Sequence, residues 1–100
     1  MPAYIIAIRK DPIHNEKAMT EYQRRTREIA GEFPLIPLVV YGNTEGLEGE
    51  TPDGVVLMEF PSMEEAKAWY YNDAYQKAAE FRKKAADYQM FIVEGLNRSA

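Results

Sequence analysis

A short apolar run followed by a helical repeat predicts how the first third of the chain folds. The run Ala3–Arg9 is rich in β-branched residues, which predicts a β-strand. Asp11 is expected to cap a helix that has Pro12 at its first position, where a missing N–H group costs nothing. Over residues 18–33, apolar or small residues recur every three or four positions and therefore share one helical face. Gly31 is expected to end this helix.

The middle of the chain predicts two strands separated by turns. Residues 34–41 are mostly apolar and predict a strand, and Pro37 places it at a sheet edge because proline cannot donate a ladder hydrogen bond. A turn follows, and residues 47–50 are expected to extend this strand briefly. Residues 51–54 predict another turn, and residues 55–60 predict the third strand.

After the third strand, two capping signals predict helical structure. Ser62 and Glu65 have the spacing of a capping box, and the helix that they begin is expected to end near Tyr71. Asp73 and Gln76, again three residues apart, predict that a helix restarts there. The restarted helix places small residues, one tyrosine and one arginine on a single face: Tyr75, Ala78, Ala79, Arg82, Ala85 and Ala86.

The last apolar run, Tyr88–Glu94, predicts a final strand that Gly95 ends. The predicted order is therefore β-α-β-β-α-β, which is the ferredoxin-like arrangement of α+β proteins. It predicts a four-stranded antiparallel sheet with the helices on one face.

The predicted strands are apolar on both faces, which raises the question of what covers the second face. In the first strand, for example, Ile5 and Ile6 point to opposite sides of the sheet. Helices cover one side, and a bare second side would exceed the roughly 300–600 Å² of contiguous apolar surface found on typical monomers. We therefore expect a second copy of the sheet to cover it, in a two-fold symmetric homodimer.

Composition narrows the chemistry that this fold can carry. The 100 residues are expected to form one domain, residues 1–100. A net charge of −4 argues against binding to nucleic acid or to anionic lipid. Zero cysteines and one histidine exclude thiolate sites and most imidazole metal sites, so neither a metal nor a cofactor is predicted. No targeting or membrane-spanning segment is recognised, which makes the cytoplasm the expected location.

Several short motifs together resemble one known family. They are Pro2-Ala3-Tyr4, Leu47-Glu48-Gly49, residues 55–62 with Ala66, Ala68-Trp69-Tyr70, Tyr75-Gln76, Arg82 and Val93-Glu94-Gly95. With these motifs the chain resembles domain of unknown function 1330, a family of the dimeric α/β barrel superfamily. The resemblance implies a ferredoxin-like fold and a dimer in which two sheets stack into a barrel. Where that family shows Gly-Gly-Arg at the second strand, this chain has Phe33-Pro34-Leu35, so any role of that arginine is missing.

The resemblance implies no single activity. Members of the wider superfamily include cofactor-free monooxygenases, lactone isomerases, haem-degrading enzymes, polyketide cyclases and regulatory ligand-binding domains. Kinship of that breadth is weak evidence for any one chemistry. Haem-degrading relatives need an axial histidine, and His14 does not correspond to one, so haem is not predicted.

Arg82 is the most informative candidate, because it is a charged residue on an otherwise apolar helical face. Its guanidinium is suited to bind the carboxylate or enolate of a small ligand between helix and sheet. The alternative is a structural role, either in a salt bridge to Glu48 or Glu59 or with its head group extended to solvent. The sequence leaves both readings open.

Aromatic residues and two glutamates complete the candidate site. Trp69 and Tyr75, with Tyr4 from the first strand, are candidate walls for a planar ligand, although aromatic residues at helical spacing more often form core. Glu59 and Glu48 are candidate catalytic bases, although such carboxylates more often bind backbone donors or face solvent. His14 is expected in the first turn of the first helix, in contact with water.

Two functions of different classes follow from these candidates. The first is a dimer that binds a small polar or aromatic acid and has no base near Arg82. The second is a cofactor-free enzyme, an isomerase, cyclase or monooxygenase, in which Glu59 or Glu48 is the base and Arg82 stabilises an oxyanion. The second requires a carboxylate within reach of the ligand.

Overall fold

A four-stranded antiparallel sheet forms the centre of the protein, of which a computed structural model describes residues 1–96. In chain order, the strands are β1 (Ala3–Arg9), β2 (Ile36–Val40), β3 (Gly54–Phe60) and β4 (Tyr88–Glu94). They lie in the order β2-β3-β1-β4, which confirms the ferredoxin-like arrangement. β2 is at an edge, as Pro37 predicted.

Helices pack on one face of this sheet. They are α1 (Glu16–Ala30), α2 (Met63–Tyr71) and α3 (Asp73–Ala85). α1 packs along α3, whereas α2 contacts β1, β3 and β4. No helix in the described part of the chain is both long and apolar enough to cross a membrane.

The strand register separates the sheet residues into two faces. Under the helices, Ile5 of β1 lies opposite Ile92 of β4. On the other side, Ile6 lies opposite Leu57 and Phe91. This second side, the open face, carries Tyr4, Ile6, Ile8, Ile36, Val39, Val55, Leu57, Glu59, Gln89, Phe91 and Val93. The prediction that the strands are apolar on both faces is therefore confirmed.

An aromatic cluster holds α2 and α3 on the covered face. The Trp69 ring lies 4.1 Å from the Tyr75 ring and 5.9 Å from the Phe60 ring, measured between centroids. All three side chains are buried. Such aromatic pairs stabilise a fold by about 0.5–1.5 kcal/mol each beyond the burial of their area. Trp69 is therefore a packing residue, whatever else it does.

The start of α1 differs from the predicted start. The helix begins at Glu16, and the side chain of Asn15 caps it by accepting a hydrogen bond from the Ala18 N–H at 3.1 Å. The N–H groups of His14 and Asn15 donate to the carbonyl of Ala85, at 2.9 and 3.2 Å. This contact with the end of α3 keeps the preceding segment out of the helix. The predictions that Asp11 caps α1 and that His14 lies in its first turn are therefore wrong.

Other boundaries shift for local reasons. α3 is capped by Asn72, whose side-chain oxygen accepts from the Tyr75 N–H at 2.8 Å, rather than by Asp73. β2 is shorter than predicted and its register shifts after Pro37, as at a β-bulge. Residues 47–50 are exposed loop and do not extend β2.

The cap of α1 can be tested by stability measurements. Asn15→Ala is expected to lower the free energy of unfolding by about 1 kcal/mol, because it removes the acceptor for an unpaired helix N–H. Asp11→Ala is the matched control and should change it by less than about 0.5 kcal/mol, since Asp11 is exposed. Urea denaturation of both variants measures these changes. A larger loss of unfolding free energy in Asp11→Ala than in Asn15→Ala would show that Asp11 caps α1, as the sequence predicted.

Candidate functional site

A cavity of about 470 Å³ lies between α1 and the sheet. It exists because α1 packs along α3 while the strands beneath it present short side chains, Ala7 of β1 and Val56 of β3. Its walls are mostly apolar. Within residues 1–96, the charged side chains that line it are Arg27 and Arg82, and none of the lining residues is a carboxylate.

One arginine beside the cavity has its charge balanced. Arg9 ends β1 on the covered face and is buried, and its Nη2 and Nε lie 2.8 and 3.0 Å from Oδ2 of Asp53. Its Nη1 donates to the hydroxyl of Tyr88 at 3.1 Å. That hydroxyl also shares a 2.7 Å hydrogen bond with the hydroxyl of Tyr41. Arg9 therefore acts as a structural link between β1, β4 and the loop before β3.

Tyr41 reaches this cluster through an unusual backbone conformation. Its φ of 55° lies in the left-handed region, which L-residues seldom adopt. The Arg9 guanidinium carbon lies 4.9 Å from the centre of its ring. Gly54 leaves room for that ring, since a Cβ there would lie 2.8 Å from Tyr41 Cδ1. The end of β2 is therefore folded toward the cavity at a conformational cost.

Arg82 also lies beside Tyr88, but it forms no salt bridge with a carboxylate of residues 1–96. Its guanidinium carbon is 5.4 Å from the Tyr88 ring centre, and the residue is only 6% exposed. Within residues 1–96, no carboxylate lies within salt-bridge distance of it, and its Nε is buried without a hydrogen-bond partner. The predicted alternatives, a salt bridge to Glu48 or Glu59 or extension into solvent, are therefore wrong.

Tyrosine hydroxyls around Arg82 keep their protons. Burial raises the pKa of Tyr22 well above its ordinary value, and the adjacent Tyr75 adds to this shift. Burial also raises the pKa of Tyr75, although its hydrogen bond with Tyr22 and then the charge and hydrogen bonding of Arg82 act in the opposite direction. The pKa of Tyr41 is raised by burial and by its hydrogen bond to Tyr88. These phenols are neutral hydrogen-bonding groups at ordinary pH.

The structure brings together some of the predicted ligand contacts. Arg82 and Trp69 line the cavity. Tyr75 is fully buried behind Trp69, and its hydroxyl lies 3.0 Å from that of Tyr22 in the cavity wall. Tyr4 does not join them, because it lies on the open face and the sheet separates it from Trp69.

The predicted bases are not at the cavity. Glu59 lies on the open face, opposite Tyr4, because alternate residues of β3 point to opposite sides of the sheet. Glu48 lies in the exposed loop between β2 and β3. The expectation that one of these carboxylates lies beside Arg82 therefore disagrees with the structure. No three His, Asp or Glu side chains of residues 1–96 come together as a metal site.

Sequence reasoning missed four residues of this site: Arg9, Tyr22, Tyr41 and Tyr88. Arg9 carried a usable signal, because it follows Ala3, Ile5 and Ala7 at a spacing of two and so shares their covered face. Tyr41 carried none, since its position depends on a backbone conformation that its residue type does not favour.

Solved structures with the same fold include proteins from several bacteria. A protein of unknown function from Rhodopseudomonas palustris is 16% identical, with a TM-score of 0.68 over 96% of this chain and 83% of that chain. A dimeric ferredoxin-like protein of unknown function from Jannaschia sp. CCS1 is 14% identical, with a TM-score of 0.67 over 95% of this chain and 100% of that chain.

A third structure belongs to a protein from Caulobacter crescentus CB15, provisionally assigned as an antibiotic biosynthesis monooxygenase. It is 14% identical, with a TM-score of 0.57 over 96% of this chain and 91% of that chain. Identities this low show a common fold alone. None of the curated proteins matches the chain.

A family model relates the chain to one protein family, whereas the solved structures show only the common fold. The model described as domain of unknown function (DUF1330) matches residues 2–96, which include all seven elements of the fold and the site residues Arg9, Arg27 and Arg82. The chain therefore belongs to the DUF1330 family.

Proposed function

We propose that the protein binds a small organic acid in the cavity between α1 and the sheet, with the acid group at Arg82. The observation that carries the proposal is the buried guanidinium of Arg82, which lines the cavity and has no carboxylate partner within residues 1–96. Arg9 is the internal comparison, because the same kind of side chain nearby has Asp53 as its partner.

The energetic argument concerns the cost of an unpaired buried charge. Removing one partner from a buried ion pair typically costs about 3–5 kcal/mol, because the remaining charge is left without compensation. A bound carboxylate would supply charge-assisted hydrogen bonds to Arg82 and offset that cost. A ligand that is neutral at this position would leave the charge unpaired.

The cavity walls describe the rest of the ligand. Tyr22, Met58, Trp69 and Met90 give them aromatic and apolar surface that suits a ring or a short hydrocarbon body. The volume of about 470 Å³ lies within the range of about 300–1,000 Å³ that is usual for small-molecule sites. The proposed ligand is thus an acid with an aromatic or apolar body.

Binding is favoured over cofactor-free catalysis because no base faces the ligand. None of the cavity-lining residues in the described chain is a carboxylate. Burial raises the pKa values of Tyr22 and Tyr41, so these phenols are poor proton acceptors at neutral pH. The provisional monooxygenase assignment of the Caulobacter protein applies to a relative in fold only.

We also propose that a second copy of the chain covers the open face. Phe91, Val93 and Ile36 are exposed there, and the central residues Ile6 and Leu57 are only half-buried. An apolar sheet face of this kind usually packs against another sheet. The Jannaschia protein, which shares the fold, is described as dimeric. We likewise propose that residues 1–100 form one domain and that the protein is located in the cytoplasm.

Acid binding can be tested on Arg82. Phenylacetate is expected to raise the melting temperature of the wild type, and Arg82→Met should weaken its binding at least tenfold, because the cationic partner is gone. Without ligand, Arg82→Met should be more stable by about 1–3 kcal/mol, since an unpaired buried charge is replaced by an apolar group. Thermal-shift titration and urea denaturation measure both effects.

The matched control for this experiment is Arg24→Met, which alters an exposed ion-paired arginine of α1 that does not line the cavity. It should leave phenylacetate binding unchanged. Equal binding by the wild type and Arg82→Met would show that the acid does not use Arg82.

The dimer can be tested by sedimentation. The wild type is expected at about twice the chain mass of 11.5 kDa at micromolar concentration. Leu57→Glu should shift it toward 11.5 kDa, because a charge at the centre of the open face opposes burial against a partner. Leu47→Glu is the control, since Leu47 is 88% exposed in a loop. A wild type that sediments as one chain would contradict the dimer.

The tyrosine pKa shifts predict an alkaline limit to stability. A folded-state pKa above the unfolded value of about 10 means that the unfolded chain loses its tyrosine protons first as pH rises. The stability that Tyr22, Tyr41 and Tyr75 contribute is therefore complete below about pH 10 and declines above it. Ultraviolet titration should show that Tyr22, Tyr41 and Tyr75 ionise above about pH 10, and loss of their protons at about pH 10 would contradict the shifts.

A further inference from the structure

The residues that line the cavity differ in exposure, which distinguishes a buried end from a mouth. Ala7 and Arg82 line the cavity and are buried. Four other lining residues, from α1 and β2, are exposed and therefore form the mouth: Gln23, Arg27, Pro37 and Val40. The two charged residues that line the cavity are thus at different depths, Arg82 at the buried end and Arg27 at the mouth.

Arg27 differs from the other two arginines of α1. Arg24 lies 2.6 Å from Glu21 and 2.8 Å from Glu28. Arg25 lies 2.6 Å from Glu21. Within residues 1–96, no carboxylate lies within salt-bridge distance of Arg27, and of the three arginines it alone lines the cavity. Its charge is therefore available to a ligand at the mouth.

The geometry of α1 indicates how far apart the two ends are. Tyr22 marks the inner part of the cavity wall, because its hydroxyl lies 3.0 Å from that of the fully buried Tyr75. Arg27 follows Tyr22 by five residues, which is about 7–8 Å along a helix axis. A ligand that reaches from the buried end to the mouth therefore needs a body of about that length, which a substituted aromatic ring provides.

From these positions we infer that the ligand is a diacid, with one carboxylate at Arg82 and a second carboxylate at Arg27. The inference rests on the proposed acid binding and adds the second acid group. No carboxylate lines the cavity in the described chain, so nothing in its wall repels the second charge. A guanidinium binds a carboxylate through charge-assisted hydrogen bonds. Arg27 is therefore a specificity-determining residue that favours diacids over acids with one charge.

The experiment compares two ligands of equal size that differ by one charge. They are 1,4-phenylenediacetate and its monoamide, in which one carboxylate is replaced by a neutral amide. Titration calorimetry on the wild type should give a dissociation constant about sixfold lower for the diacid. An exposed ion pair accounts for about threefold. The remaining factor of about two arises because either carboxylate of the diacid can occupy Arg82.

Variants at the mouth identify the residue responsible. Arg27→Met should reduce the preference to about twofold and leave binding of the monoamide unchanged. Arg27→Lys keeps the positive charge and should retain most of the preference. Arg24→Met is the matched control, because it alters an exposed arginine of the same helix that does not line the cavity, and it should keep the sixfold ratio. Each ratio is measured within one variant, so a general change in stability cancels.

Salt provides a second readout on the wild type. Added sodium chloride screens charges that are exposed to solvent more than it screens buried ones. The preference for the diacid should therefore fall toward twofold at high salt. A preference that is independent of salt would place the second carboxylate away from the exposed Arg27 and contradict the inference.

The outcomes separate this inference from the proposed acid binding. A wild-type ratio of about two that Arg27→Met does not change would overturn the diacid, and acid binding at Arg82 would stand if Arg82→Met weakens the monoamide. A sixfold ratio that persists in Arg27→Met would also overturn it, because the second carboxylate would then bind elsewhere. If neither ligand binds the wild type, acid binding itself fails and the diacid fails with it.

Discussion

Two buried arginine side chains, Arg9 and Arg82, lie beside the Tyr88 ring, and the chemistry of the site depends on the difference between their partners. Arg9 donates to Asp53 and to the Tyr88 hydroxyl, so its charge is neutralised within the fold. Arg82 lies 5.4 Å from the centre of the same ring, and no carboxylate of residues 1–96 forms a salt bridge with it. Of these two arginines, only Arg82 therefore has an electrostatic reason to bind an anion. The chain carries a net charge of −4, yet its cavity is lined by positive and neutral groups.

The strand register links the cavity to the proposed dimer. In β1, successive side chains point to opposite faces of the sheet. Ile5, Ala7 and Arg9 lie under the helices, and Ile6 lies on the open face. Because the side-chain period is two, a shift of the register by one residue would exchange the two faces. Arg9 would then leave Asp53 and Tyr88, and the apolar residues of the open face would enter the space beside Arg82. The ligand site and the surface proposed for the partner are thus set by the same pairing.

The sequence predicted the fold well because the deciding signals are local. Ser62 and the apolar repeats fixed the element order, and the spacing from Tyr75 to Arg82 placed that arginine on a covered helical face. The start of α1 was not predictable from Asp11, since a carbonyl at the far end of α3 holds His14 outside the helix. For the same reason the sequence did not reveal the site as a whole. The other residues that line the cavity come from elements far apart in the chain, including β1, α1, β2 and β4. Only the cross-strand register shows which strand residues face this cavity.

Two buried donors in one wall are difficult to explain by folding alone. The Nε of Arg82 and the Nε1 of Trp69 are the buried side-chain polar atoms left without partners in residues 1–96, and both belong to residues that line the cavity. Random defects would be expected anywhere in the core, whereas both of these belong to side chains that line the cavity beneath α1. Methionine and phenylalanine would pack the same wall without an unmet hydrogen bond and, in the first case, without an unpaired charge. Buried polar or charged atoms without a partner are found preferentially at functional sites. A bound ligand can supply the missing hydrogen bond or counter-charge there. Arg82 therefore indicates the charge of the proposed ligand, whereas the volume of the cavity limits only its size.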